Sequence, residues 1–97
     1  MASQRSLERQ LRKTARQMAK AREELAVSRA QLDQVADEAA DAKLRSVVSE
    51  DGNQGRVATD AVRHRDRLIG HCDHLQAEIA QLEASQDRLL DELSALG

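Results

Sequence analysis

The 97-residue chain contains no proline, no aromatic residue, one cysteine and four glycines. Without Phe, Tyr or Trp a large globular core is hard to build, because aromatic side chains supply much of the buried area of a protein. A single cysteine, Cys72, excludes an intramolecular disulfide framework and is typical of the reducing cytoplasm. No apolar run approaches the length of a membrane span or a secretory signal. We therefore expect a cytoplasmic protein.

Alanine, leucine and charged residues dominate what is present. There are sixteen alanines and twelve leucines, and a third of the chain is charged. This composition is typical of long, paired helices, and 97 residues allow one domain. Two paired helices bury only one strip of residues, so further burial by self-association or by another protein is expected. The net charge of -2 argues against a general polyanion binder.

Both halves of the chain repeat apolar or small residues at alternating steps of three and four, which is a heptad pattern. We call the a and d positions of this pattern the seam. In the first half the seam contains Leu7, Leu11, Thr14, Met18, Ala21, Leu25, Ser28, Leu32, Val35, Ala39 and Ala42. In the second half it contains Ala58, Ala61, Arg65, Leu68, Cys72, Leu75, Ile79, Leu82, Gln86, Leu89, Leu93 and Leu96. The pattern predicts helices over about residues 4–50 and 56–96, and the short connection between them predicts an antiparallel coiled-coil hairpin.

The stretch SEDGNQG at positions 49–55 contains two of the four glycines and is the predicted turn, over about residues 51–55. We pair Leu11 with Leu96 and each later seam layer in the same way, so that the two position numbers of every layer sum to 107. Half of this sum places the reversal between Asn53 and Gln54. A pairing one heptad shorter, with the turn at Glu50, is the less favoured alternative. Gly52 is expected to end the first helix in the left-handed conformation, with Asn53 or Thr59 capping the second.

Charge supports this pairing. Residues 1–30 carry eight basic and three acidic side chains, whereas residues 75–97 carry one basic and five acidic. Arg22 with Glu83 and Glu38 with His71 are expected to form weak pairs between the helices. We interpret the basic N-terminal segment as a solvated face compensated by these acids. Nucleic-acid or ribosome binding stays an alternative for its residues Arg5, Arg9, Arg12, Lys13, Arg16, Lys20 and Arg22.

Some apolar residues do not fit the seam, among them Leu44, Val47, Val48, Val62, Ile69 and Leu90. They either widen the core or form a second interface. We favour a second interface that joins two copies into a four-helix bundle, with Val62, Ile69 and Leu90 along the helix and the other three near the turn. With the turn acids Glu50 and Asp51, these residues are the candidate partner-binding set.

No constellation of catalytic or metal-binding residues is found. His64, His71, Cys72 and His74 lie close in sequence but on diverging helical bearings, and no standard zinc spacing occurs. Glu50 and Asp51 do not fit the spacing of a calcium-binding loop. We therefore expect no metal site, no cofactor and no catalysis by this chain alone.

The hairpin with Glu50 and Asp51 at its turn is similar in layout to the N-terminal coiled coil of bacterial transcript-cleavage factors. In that family the tip acids are separated by other residues, whereas here they are adjacent. The resemblance implies insertion of an acidic tip into RNA polymerase as an alternative function. The stretch ADEAADAKLRSVVSE also resembles small helical proteins of actinobacteria, which implies a bacterial origin. The favoured expectation is a homodimeric, non-enzymatic protein-interaction or scaffolding module.

Overall fold

A computed structural model describes residues 2–97, and within them it contains two helices and no strand. Helix α1 runs from Gln4 to Val48 and helix α2 from Gly52 to Leu96, with 45 residues in each. This confirms the prediction of an all-α chain with two long helices and a short connection. Within the same residues, neither helix contains a stretch that is long and apolar enough to cross a membrane.

Serine side chains define both ends of α1. The Ser6 amide donates to Ser3 Oγ at 3.1 Å, so Ser3 satisfies one of the free N–H groups at the helix start. At the other end the Ser49 amide donates to the Arg45 carbonyl, and Ser46 Oγ donates to the Lys43 carbonyl at 2.7 Å. The last turn is therefore closed by hydrogen bonds that do not require glycine.

The connection consists of Ser49, Glu50 and Asp51, and it is held by the side chains at its two ends. The Asp51 amide donates to Ser49 Oγ at 3.1 Å, and the Asn53 amide donates to Asp51 Oδ1 at 2.9 Å. Asp51 is thus the N-cap of α2, a position that aspartate favours strongly. Because α2 begins at Gly52 rather than at 56, the reversal is centred on Glu50. The prediction of a turn between Asn53 and Gln54 is wrong.

The predicted roles of Gly52 and of the capping residues are also wrong. No residue among those described has a positive φ, and Gly52 is the first residue of α2. Thr59 Oγ1 donates to the Gly55 carbonyl inside the helix, so it does not cap. The physical reason is that Asp51 already accepts an amide of the first turn, so the chain reverses without a left-handed glycine.

The contacts of the chain divide it into two compact units. Unit 1 comprises Met1–Leu25 and His74–Gly97, and unit 2 comprises Ala26–Asp73. The core of unit 1 is built mainly from large aliphatic side chains, namely Leu7, Met18, Leu25, Leu75, Ile79 and Leu89, with Thr14 and Ala21. The core of unit 2 is built from small ones, namely Ser28, Ala39, Ala42, Ala58 and Cys72. The fully buried side chains of unit 2 are therefore smaller than most of those of unit 1.

The predicted seam matches the observed burial with one exception. Every seam position from Leu7 to Ala42 and from Ala58 to Leu93 is buried or half-buried. Leu96, predicted to cover Leu11, is instead 50% exposed. It lines a shallow groove with Leu7 and Glu92, which places the end of α2 beside an earlier part of α1 than predicted. The shift follows from the earlier turn.

Candidate interaction surface

Three large apolar side chains near the end of α1 are exposed to solvent. Leu44, Val47 and Val48 are 63%, 81% and 77% exposed, and their spacing of three and four residues places them on one face of the helix. We call these three residues the tip patch. They do not widen the core of unit 2. Exposed aliphatic residues clustered in this way are a common mark of a protein interface.

The other three predicted interface residues differ in exposure and in the unit to which they belong. Ile69 is 40% exposed and Val62 is half-buried, and both belong to unit 2. Leu90 is 46% exposed and belongs to unit 1. Sequence reasoning missed Val57, which is 44% exposed on the second turn of α2. Its off-seam position close to the turn was the signal that could have found it.

Val62 lies in an open groove of about 480 Å³ between the end of α1 and the start of α2, both in unit 2. Three of its lining residues are small, and a Cβ atom added at Gly55 would meet nothing within 4 Å. Lys43 and Arg63 give it a basic rim. Its full lining is Lys43, Ser46, Gly55, Ala58, Thr59, Val62 and Arg63.

The two acids of the connection have different environments. Glu50 is exposed, whereas the carboxylate of Asp51 accepts the Asn53 amide. The two are therefore not equivalent, and one of them already has a structural role as a helix cap. In the part of the chain that the structure describes, no three His, Cys, Asp or Glu side chains are grouped so as to hold a metal ion.

The three histidines of α2 are exposed, whereas its cysteine is buried. Cys72 is a free thiol in the core of unit 2. His64 lines a groove with Glu38 and Leu68, so it lies close to the acid that was expected to face His71. His74 belongs to unit 1. The expected contact between Glu38 and His71 stays a prediction.

The basic face of α1 is only partly compensated. Arg22 Nη2 donates to Glu83 Oε1 at 3.0 Å in unit 1, which confirms that predicted pair. Four other arginines are exposed, and within residues 2–97 none has a carboxylate oxygen within 4 Å: Arg5, Arg9, Arg12 and Arg16. We expected the acids of residues 75–97 to compensate these arginines. This prediction is wrong for direct ion pairs. They occupy b and f positions of the heptad, on the side of α1 opposite the seam.

Comparison of the chain with protein-family models, with curated proteins and with solved structures finds no match. Neither of the two resemblances stated above gains support from these comparisons.

Proposed function

We propose that this chain is a non-catalytic, cytoplasmic protein-interaction module, built as an antiparallel coiled-coil hairpin that pairs with a second copy through its tip patch. The antiparallel arrangement is supported by the side-chain contact of Arg22, early in α1, with Glu83, late in α2. It is also supported near the connection, where the last turn of α1 and the first turns of α2 line one groove.

The seam layers of this hairpin join residues whose position numbers sum to 100, one heptad less than the sequence suggested. A reversal centred on Glu50 requires this sum for helices of equal length. Burial supports it, because in four layers within the two units both members are buried. These layers are Ala21 with Ile79, Leu25 with Leu75, Ser28 with Cys72, and Ala42 with Ala58.

The exposure of the tip patch is the observation that carries the interaction role. Two valines about four-fifths exposed and a leucine nearly two-thirds exposed lie together on one helix face of a small protein. Removing such side chains from water contributes roughly 25 cal/mol per Å² of apolar area. The patch belongs to unit 2, whose fully buried side chains are small, so an additional apolar contact would add to the burial of this unit.

Charge complementarity favours a second copy as the occupant. Unit 2 carries the acidic residues Glu50 and Asp51 at its connection and the basic residues Lys43 and Arg63 around its groove. A two-fold interface places the same surface on both copies of the chain. The acidic connection of one copy can then face the basic groove residues of the second copy, and the reverse contact forms at the same time. Such charges select the orientation of the pair more than its affinity.

The experiment compares the mass in solution of the wild type with that of a Leu44→Gln, Val47→Gln, Val48→Gln variant, measured by light scattering after size exclusion. Glutamine is a better helix former than valine, so the variant keeps its helix. We expect the wild type at about twice the chain mass of 10.7 kDa. We expect the variant at the mass of one chain.

A Val27→Gln, Leu96→Gln variant is the matched control, because both side chains are about half exposed and lie outside the tip patch. It should stay dimeric. A monomeric wild type at about 10⁻⁴ M would contradict the proposal. A dimer that survives the tip variant but is lost with Ile69→Gln and Leu90→Gln would contradict the choice of the tip patch.

A further inference from the structure

Four arginines of α1 that have no ion pair among the described residues form a continuous stripe in unit 1. Arg5, Arg9, Arg12 and Arg16 follow one another at steps of four, three and four residues, so at 100° per residue they fall within an arc of about 60°. At 1.5 Å per residue the stripe is about 16 Å long. We call these four residues the arginine stripe. Glu23, the next residue on the same face to carry a charge, marks its end.

The arrangement of the arginine stripe is unfavourable for an isolated helix. Like charges at spacings of three or four residues destabilise a helix by a few tenths of a kcal/mol per pair. Cations near a helix N-terminus also oppose the helix dipole, and the first turn of α1 contains no acid. Within the described residues no carboxylate offsets these charges directly. A ligand that brings dense negative charge to this face would reduce both the repulsion between the arginines and their unfavourable interaction with the helix dipole.

The charges of unit 1 are separated between its two helical segments. Residues 1–25 carry seven basic and three acidic side chains, a balance of +4, and residues 74–97 carry one basic and five acidic, a balance of -4. The net charge of the chain therefore hides a strongly basic outer face on α1. A polyanion can approach this face because the five acids lie on α2 and not on the outer face of α1.

We infer that the arginine stripe binds the phosphate backbone of a nucleic-acid duplex without reading its sequence. Guanidinium groups bind phosphate oxygens in a bidentate manner, and all four positions hold arginine rather than lysine. A duplex carries one negative charge per about 1.7 Å, so a stripe of about 16 Å spans roughly ten phosphates and each arginine can reach one. This site shares no residue with the tip patch and does not depend on the proposed function.

Other polyanions fit this face less well. Single strands are held largely by stacking on aromatic side chains, and the chain has none. A helix lying on an anionic membrane inserts an apolar face, whereas Leu7, Met18 and Leu25 of α1 are buried in unit 1. An acidic peptide would need carboxylates spaced to match the arginines, which a duplex does not require.

The test is fluorescence anisotropy of a labelled DNA duplex titrated with the full chain at several salt concentrations. Four phosphate contacts predict that log K falls with log[salt] at a slope of about -3.6, so affinity drops roughly 150-fold between about 50 and about 200 mM salt. Replacing the stripe by Arg5→Gln, Arg9→Gln, Arg12→Gln and Arg16→Gln should remove nearly all of that slope. Single substitutions should each reduce its size by about one.

The matched control replaces four exposed arginines elsewhere, by Arg29→Gln, Arg56→Gln, Arg67→Gln and Arg88→Gln. Removing four positive charges takes either variant from a net charge of -2 to -6, so only the position of the charge differs. The control should keep the wild-type slope. Circular dichroism of both variants checks that each remains helical.

Three further ligands identify what is recognised: an RNA duplex, a single strand of the same sequence, and vesicles of anionic lipid. We expect the RNA duplex to bind like the DNA duplex and the single strand to bind more weakly. The inference is overturned by no duplex binding at about 10⁻⁴ M protein in low salt. It is also overturned by an equal loss in the control variant, or by tighter binding to the single strand or to vesicles.

Discussion

Arg22 Nη2 donates to Glu83 Oε1 at 3.0 Å, and the two residues lie 61 positions apart in the sequence, on different helices. In the proposed antiparallel pairing their positions differ in level by about five residues, or roughly 7.5 Å. Helical side chains lean toward the N-terminus of their own helix, so the two lean toward each other. This explains why a pair chosen for a different register still forms. Both side chains are more than half exposed, so the contact orients the helices more than it stabilises them.

The first prediction concerns the strength of this contact. A double-mutant cycle with Arg22→Gln and Glu83→Gln should give a coupling energy of about 0.2–1 kcal/mol, because both groups remain in contact with water. The measurement is urea denaturation followed by circular dichroism at low and high salt. The coupling should shrink as salt increases. A coupling well above 1 kcal/mol that does not depend on salt would contradict this account.

The second prediction tests the pairing of the seam with the only native cysteine. In the proposed register Ser28 shares a layer with Cys72, whereas the register first suggested by the sequence pairs Cys72 with Val35. All three residues belong to unit 2. A Ser28→Cys variant should therefore oxidise to an intramolecular disulfide, seen as a faster band in a non-reducing gel. A Val35→Cys variant is the control and should not form one. The opposite result would restore the longer register.

The third prediction separates the two acids of the connection. Asp51→Ala removes the N-cap of α2 and should reduce the free energy of unfolding by about 1 kcal/mol. Glu50→Ala removes an exposed carboxylate with no such role and should change stability by less than about 0.5 kcal/mol. Urea denaturation at a fixed protein concentration provides both values. Equal effects of the two substitutions would show that capping by Asp51 contributes little.

The fourth prediction concerns a glycine inside α2. Gly70 is exposed, and a Cβ atom added there would meet nothing within 4 Å. Gly70→Ala should therefore stabilise the protein by about 0.5–1 kcal/mol, because it lowers the entropy of the unfolded chain at no steric cost. Gly97→Ala, which lies beyond the end of α2, is the control and should have almost no effect. A destabilised Gly70→Ala variant would mean that this position contacts something outside the chain.

Two features of the fold could be read from the sequence because they depend on local periodicity. The steps of three and four between apolar residues identified both helices and nearly every buried position, since burial on a helix follows its 3.6-residue repeat. The pair of Arg22 and Glu83 was also found, because opposite charges collect in segments that lie side by side. The off-seam residues Leu44, Val47 and Val48 were correctly separated from the core by the same repeat.

The register between the helices could not be read in this way, because a heptad pattern looks the same after a shift of seven residues. The proposed register follows from the position of the turn, which depended on whether Gly52 and Gly55 or the side chains of Ser49 and Asp51 reversed the chain. Glycine was the more familiar signal, but hydrogen bonds to the side chains of Ser49 and Asp51 form a tighter connection. This moved Leu96 from the expected core to the surface.

The sequence by itself determined the helices, the seam and the segregation of charge, since each depends on residues near one another along the chain. The tertiary structure decided which side chains remain without a partner. Arg5, Arg9, Arg12 and Arg16 had enough acids in the opposing segment to balance them by count. Among the arginines of residues 2–25, Arg22 forms an ion pair with α2 and these four do not, because an ion pair needs two side chains on facing sides of their helices and the stripe faces away. The numbers of basic and acidic residues give the net charge of the two segments. The positions of the side chains determine which charges can bind another molecule.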